Sequence, residues 1–91
     1  MSGNFAEEMQ REQSLITGDA GIVLESKRSD LDLIKFHQEK ARNALRKAQR
    51  LTEHPLVSEE DKMQISKSCQ LLRKTLNRLT SRNRYIRSCL K

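Results

Sequence analysis

The chain has 91 residues, of which 33% are charged and 3% aromatic, with no Trp and a formal net charge of +6. That is one domain at most, with a thin core and no deep aromatic pocket. The longest apolar run, 20–24, is far too short to cross a membrane, and the first residues carry neither a secretory leader pattern nor a Gly at position 2 for myristoylation.

The charge is unevenly spread. Residues 1–40 hold five basic and eight acidic side chains, and residues 41–91 hold thirteen and four. From Leu71 to Lys91 there are seven basic residues and no acid. The two cysteines, Cys69 and Cys89, stand ~30 Å apart on a continuous helix at ~1.5 Å per residue, too far for a disulfide between them. Unpaired thiols are the pattern of a reducing compartment, so the expected location is intracellular, most simply the cytoplasm.

The first predicted helix opens at Asn4, which can cap, with Glu7 three residues on. Phe5, Met9, Glu12 and Ile16 are spaced 4, 3 and 4. This helix is short, ~13 residues, and by itself marginal in water. It either docks on the rest of the chain or stays a partly disordered arm. Residues 17–21, Thr-Gly-Asp-Ala-Gly, read as a break, with Gly18 ending one helix and Asp19 capping the next.

The second predicted helix covers 20–52. Its apolar seam is weak: Ala20, Leu24, Lys27, Leu31, Ile34, Gln38, Ala41, Leu45, Ala48, Thr52. Residues 53–58 hold the chain's single Pro. Pro55 disfavours helix at His54 and cannot continue a helical ladder. Ser58 then caps a third helix, with Glu59, Glu60 and Asp61 in the first turn, where the helix dipole favours negative charge.

The third helix carries the strongest pattern in the chain. Ile65, Cys69, Leu72, Leu76, Leu79, Asn83, Ile86 and Leu90 follow steps of 4 and 3 without a Gly or Pro between them. That is the a/d seam of a coiled-coil helix, and it requires a partner helix. Cys69 is a small core residue on it. Folding about Pro55 sets Leu45 against Cys69, Ala41 against Leu72 and Ile34 against Leu79, and brings Leu31 near Asn83. Asn83 sits at an a position, where a buried amide specifies register at some cost in stability. In the hairpin its expected partners are Lys27, Asp30 or Asp32; in a parallel pair of copies it would meet its own symmetry mate.

The fold expected is all-α: a long antiparallel helical hairpin of coiled-coil type spanning 19–91, with its turn at 53–58, and a short N-terminal helix or arm over 1–18. If that first helix folds back, the result is a three-helix bundle. Folded about Gly18–Gly21, it would bring Phe5 and Met9 to Leu33 and Phe36 and leave Leu51 and Met63 uncovered.

No enzyme signature is present. There is no Gly-rich phosphate loop and no zinc-type His pair, and His37 and His54 read as solvated polar residues. Neither catalytic residues nor a metal or cofactor site is assigned. Asp30 and Asp32, two apart on a helix, do not face each other.

The function that follows is a non-enzymatic protein–protein interaction module, an adaptor or assembly subunit that buries apolar helix faces against partner helices. On helix wheels, Ile22, Leu33, Phe36, Ala44 and Leu51 fall away from the seam of the second helix, and Met63, Leu71 and Tyr85 away from that of the third, with Leu33, Phe36, Leu51, Met63, Leu71 and Tyr85 as the anchors. These are the candidate partner contacts, with Arg78, Arg82 and Arg84 adding charge complementarity to an acidic partner. The partner is another protein or a second copy of this chain. In architecture alone the hairpin resembles helical fingers that bind small GTPases or build coiled-coil complexes. The alternative is a basic helical protein that binds nucleic acid or an anionic membrane surface. It ranks lower because the basic side chains spread around the third helix and Tyr85 is the sole aromatic there.

Overall fold

The structure is a computed structural model and describes residues 4–26 and 30–90. Three helices account for nearly all of it: α1 (Asn4–Glu25), α2 (Leu31–Glu53) and α3 (Glu59–Cys89). They form a three-helix bundle in which every helix packs on both others, with principal extents of 50 × 19 × 16 Å. The Asn4 side chain, expected to cap, and everything expected of Lys27 lie outside what is described.

The largest departure from expectation is the length of α1. It runs unbroken through Gly18 and Gly21 and has 22 residues. A helix-interior Gly costs ~1 kcal/mol relative to Ala, whereas Pro costs ~3 kcal/mol and also loses a hydrogen bond. Packing on both sides of the glycines offsets that cost, because Ile16, Ala20, Val23 and Leu24 are all buried. The buried positions Ala6, Met9, Gln13, Ile16, Ala20 and Val23, joined by Leu24, follow a 3-4 pattern running straight through the supposed break. The chain instead leaves α1 after Glu25 and re-enters helix at Leu31. Asp30 rather than Asp19 caps α2, its Oδ1 accepting the Leu33 N–H at 2.7 Å.

At its other end, α2 stops where Pro55 requires. His54 is extended (φ −73°, ψ 128°), and its N–H donates to the Leu51 carbonyl. Ser58 caps α3, its Oγ accepting the Asp61 N–H at 3.2 Å. Glu59, Glu60 and Asp61 fill the first turn as the sequence predicted. Val57, between the two helices, is buried in the core.

The α3 seam is covered within the chain as far as Ile86, and its last member, Leu90, is exposed. Ile65, Cys69, Leu72, Leu79 and Asn83 are buried, and Leu76 packs against the same core. The expected pairs share clusters: Ala41 with Leu72 and Leu45 with Cys69 in one, Ile34 with Leu79 in the other. A further heptad row, Ser68, Thr75 and Arg82, turns toward α1. The Thr75 and Thr17 hydroxyls meet at 3.5 Å, and Arg82 Nη2 donates to the Leu24 carbonyl at 2.7 Å. Both contacts join residues 58 apart in sequence, so α1 and α3 run parallel in one register.

Against α2, α1 runs the opposite way. Its Phe5 ring lies 5.9 Å from the His54 ring, and Lys47 Nζ pairs with Glu12 Oε2 at 3.0 Å. This reverses two expectations. Phe5 reaches the 53–58 turn and not Leu33 or Phe36, and Leu51 is half-buried in the same cluster as Phe5 and Ala44. The cause is geometric: at ~1.5 Å per residue, a helix of this length is ~33 Å long and spans all of α2.

Candidate interaction surfaces

A three-helix bundle has three outer grooves, one per helix pair. The side chains nominated from sequence are divided among them.

The α1/α2 groove is the one flanked by exposed apolar side chains. It measures about 400 Å³ and is lined by Leu15, Ile16, Glu12, Asp19, Lys40 and Asn43. Leu15 is 68% exposed, and Ile22, one heptad further along α1, is 70% exposed. Across the groove, Lys40 Nζ lies 4.7 Å over the centroid of the Phe36 ring. Phe36 is 52% exposed and shares its stretch of α2 with the exposed Leu33. Two nominated residues, Leu33 and Phe36, therefore stand together, with Leu15 and Ile22 on the facing helix. In sequence Leu15 stands alongside the seam of Phe5, Met9, Glu12 and Ile16, and the bundle leaves it on the outer side of that seam.

The α1/α3 groove carries another nominated set. Leu24, Arg78, Ser81, Arg82 and Tyr85 line it, and Tyr85 is 65% exposed. Leu71, exposed, continues the same heptad row as Arg78 and Tyr85. Arg82 is engaged inside the bundle, since it satisfies a carbonyl at the C-terminal end of α1, where that helix has no basic residue of its own. A cation at that end is favoured by the helix dipole. Met63 is exposed on α3 and lines none of these grooves, and Leu51 belongs to the core. The nominated residues thus do not form one surface.

The α2/α3 groove is the basic one, about 570 Å³ in volume. Lys35, Arg42 and Arg46 line it from α2, and Arg84 and Arg87 from α3, with Glu39 the one carboxylate on its wall. Its floor is a hydrogen-bonded set: Asn83 Nδ2 donates to Gln38 Oε1 at 2.8 Å, and Gln38 Nε2 donates to Thr80 Oγ1 at 3.2 Å. Asn83 therefore pairs with Gln38 and not with Asp30, which is the α2 cap, nor with Asp32. Side chains lean toward the N-terminus of their own helix. In an antiparallel pair that lets Gln38 and Asn83 meet although the backbone levels of Ile34 and Leu79 are the matching ones. Of the five cations, sequence reading singled out Arg84. The signal was the spacing of Lys35, Arg42 and Arg46, seven and four apart on one flank of α2.

Two titratable groups are sequestered. Burial pushes the Cys69 thiol above its usual range, and the nearby Arg73 guanidinium pulls it back to a lesser extent. His37, expected to be solvated, is buried against the bundle with Nδ1 lacking a hydrogen-bond partner, its ring edge-on to Phe36 at 5.3 Å. His37 falls in the heptad row of Ala44 and Leu51, the row that α1 covers. His54 is exposed in the turn, where its Nδ1 accepts the Leu56 N–H.

Among the described residues, no three His, Cys, Asp or Glu side chains are placed to hold a metal ion, and no helix is long and apolar enough to cross a membrane. Comparison with protein-family models, curated proteins and solved structures gives no match.

Proposed function

We propose that the chain is a non-enzymatic protein–protein interaction module, an adaptor or assembly subunit that receives a partner helix on its α1/α2 face. One observation carries this reading. The bundle already buries its own seams, yet Leu15, Ile22, Leu33 and Phe36 remain exposed along one pair of neighbouring helices. Exposed apolar side chains seven apart on α1 (Leu15, Ile22) and three apart on α2 (Leu33, Phe36) match the i, i+3, i+4 and i+7 spacing by which helices are received. The flanking Glu12, Asp19 and Lys40 form a mixed-charge rim that sets orientation more than affinity. Tyr85 and Leu71 offer a smaller secondary contact on the α1/α3 side. The module works in the cytoplasm, where free Cys69 and Cys89 stay reduced.

The test compares proteins cross-linked to the wild-type chain in cells with those cross-linked to an Ile22→Ser/Phe36→Ser variant and a Met63→Ser control. All three altered side chains are exposed, so each variant should melt within a few degrees of wild type. A stoichiometric partner lost by the double variant and kept by the control supports the face. Equal capture by all three chains eliminates it. Light scattering across concentration separates a foreign partner from a second copy of this chain, since only the latter raises the mass of the purified protein.

A further inference from the structure

The basic groove between α2 and α3 is independent of the apolar face and has its own chemistry. Lys35, Arg42, Arg46, Arg84 and Arg87 converge on it against the single carboxylate of Glu39. None of the five makes an ion pair with a described residue; such pairs join Lys47 to Glu12 and Lys62 to Glu59, both elsewhere. Uncompensated like charges along a concave surface focus a positive potential and raise the local concentration of anions.

Three features narrow the anion. Every side chain lining the groove is polar or charged, so an amphipathic helix has nothing apolar to bury there. None is aromatic, so unstacked bases of a single strand have no platform. Four of the five cations are Arg, whose planar fork engages phosphate oxygens bidentately and is less strongly hydrated than an ammonium. The cations also form an extended row: Lys35 and Arg46 stand ~16 Å apart along α2 at ~1.5 Å per residue. A row suits a ligand with regularly repeated charges, and a flat membrane would not enter the groove. The floor is held in place by the Asn83–Gln38–Thr80 hydrogen bonds, so the two walls keep a fixed spacing.

We infer that the α2/α3 groove binds the phosphate backbone of double-stranded nucleic acid, without reading its sequence. With five cations engaged, the log–log dependence of affinity on salt should have a slope of about −4.5, at roughly −0.9 per phosphate neutralised.

The experiment is anisotropy of a labelled duplex of ~20 base pairs and arbitrary sequence, titrated with the full chain over ~50–200 mM salt. The triple variant Arg42→Gln/Arg46→Gln/Arg84→Gln should lose at least ~10-fold in affinity and flatten the slope by about 2–3. Lys67→Gln/Lys74→Gln/Arg78→Gln removes the same charge from side chains that do not line the groove and should stay within ~3-fold of wild type. A second duplex of unrelated sequence should bind equally well. Circular dichroism melts check the fold; if the groove triple melts early, Arg42→Gln and Arg46→Gln are compared singly. Equal loss in both triples would mean that net charge and not this groove binds, and would overturn the assignment. So would the absence of duplex binding, or tighter binding of tripolyphosphate or of an acidic peptide than of the duplex.

Discussion

The side-chain amide of Asn83 donates to Gln38 Oε1 across the α2/α3 interface at 2.8 Å, so the polar breaks of two apolar seams satisfy each other. Both residues are buried. Removing one partner leaves the amide atom it bonded, Gln38 Oε1 or Asn83 Nδ2, desolvated and unpaired, which costs ~1–3 kcal/mol, whereas replacing both by apolar groups of similar shape is close to neutral. Asn83→Leu alone and Gln38→Leu alone should each lower the melting temperature by roughly 4–24 °C at ~4–8 °C per kcal/mol for a domain of this size. The double variant should recover most of that loss. Additive losses in the double-mutant cycle would show that the two amides do not act as a pair.

Gly18 and Gly21 make a second case, in which the local signal and the fold disagree. A Cβ at either position would meet no atom within 4 Å, so nothing in the packing requires a glycine. Both lie inside a continuous helix. Gly18→Ala and Gly21→Ala should therefore each stabilise the protein by ~0.5–1 kcal/mol, through the lower backbone entropy of the unfolded chain and the better helix propensity of Ala. Urea melts of the single and double variants check this, with near-additive gains expected. Destabilisation by either substitution would mean that α1 breaks there in solution.

Arg82 supplies what α1 lacks at its C-terminal end. Its guanidinium bonds the Leu24 carbonyl from the neighbouring helix at 2.7 Å, and the site is only partly buried, which moderates the strength of the contact. Arg82→Ala should cost ~1–2 kcal/mol, within the range for charge-assisted hydrogen bonds. Hydrogen exchange should rise most in the last turn of α1, because that turn loses both a bond and a favourable charge. Arg82→Lys should restore part of the loss. Uniform exchange across the bundle, with no focus on α1, would dissociate Arg82 from the end of that helix.

The features legible in the sequence were those with a dense local signal. The α3 seam, the Pro55 stop and the Ser58 cap with its acidic turn each rest on a few residues acting within one helix, and each stands where it was read, except that the seam ends at Ile86 and leaves Leu90 exposed. The illegible ones depended on what a second helix contributes. Gly18 and Gly21 outweighed the buried 3-4 pattern of Met9, Gln13, Ile16, Ala20 and Val23 because Gln13 interrupts it in polarity. Gln13 is accommodated by donating to Thr17 Oγ1 at 3.0 Å. The row Ser68, Thr75 and Arg82 looks solvated in isolation and becomes an interface only when α1 lies on it. The basic groove needed two helices at once, since neither Lys35, Arg42 and Arg46 nor Arg84 and Arg87 make a dense stripe alone. The boundary between α1, which ends at Glu25, and α2, which begins at Leu31, is marked in the sequence by the polar run Ser-Lys-Arg-Ser-Asp, and an apolar seam drawn through Lys27 hid it.

The two thiols should behave as different chemical groups. Cys69 is buried and Cys89 is exposed. Thiolate is the reactive form, and burial holds the Cys69 thiol in its protonated state above the usual range. A chromogenic disulfide reagent on the native protein near neutral pH should titrate one fast equivalent, from Cys89. The second should react on the order of 10²-fold more slowly, limited by opening of the bundle, and at full speed in denaturant. Linkage gives a further consequence. Between the unfolded and folded pKa values the folded chain holds a proton that the unfolded chain has released. The stability contributed by Cys69 is then complete below the ordinary thiol range and declines as pH rises through it. Urea midpoints measured from neutral to alkaline pH should fall for the wild type more steeply than for Cys69→Ala, which has no proton to retain. Identical slopes for the two proteins, or two fast thiols in the native state, would place Cys69 in contact with solvent and break the buried seam at that position.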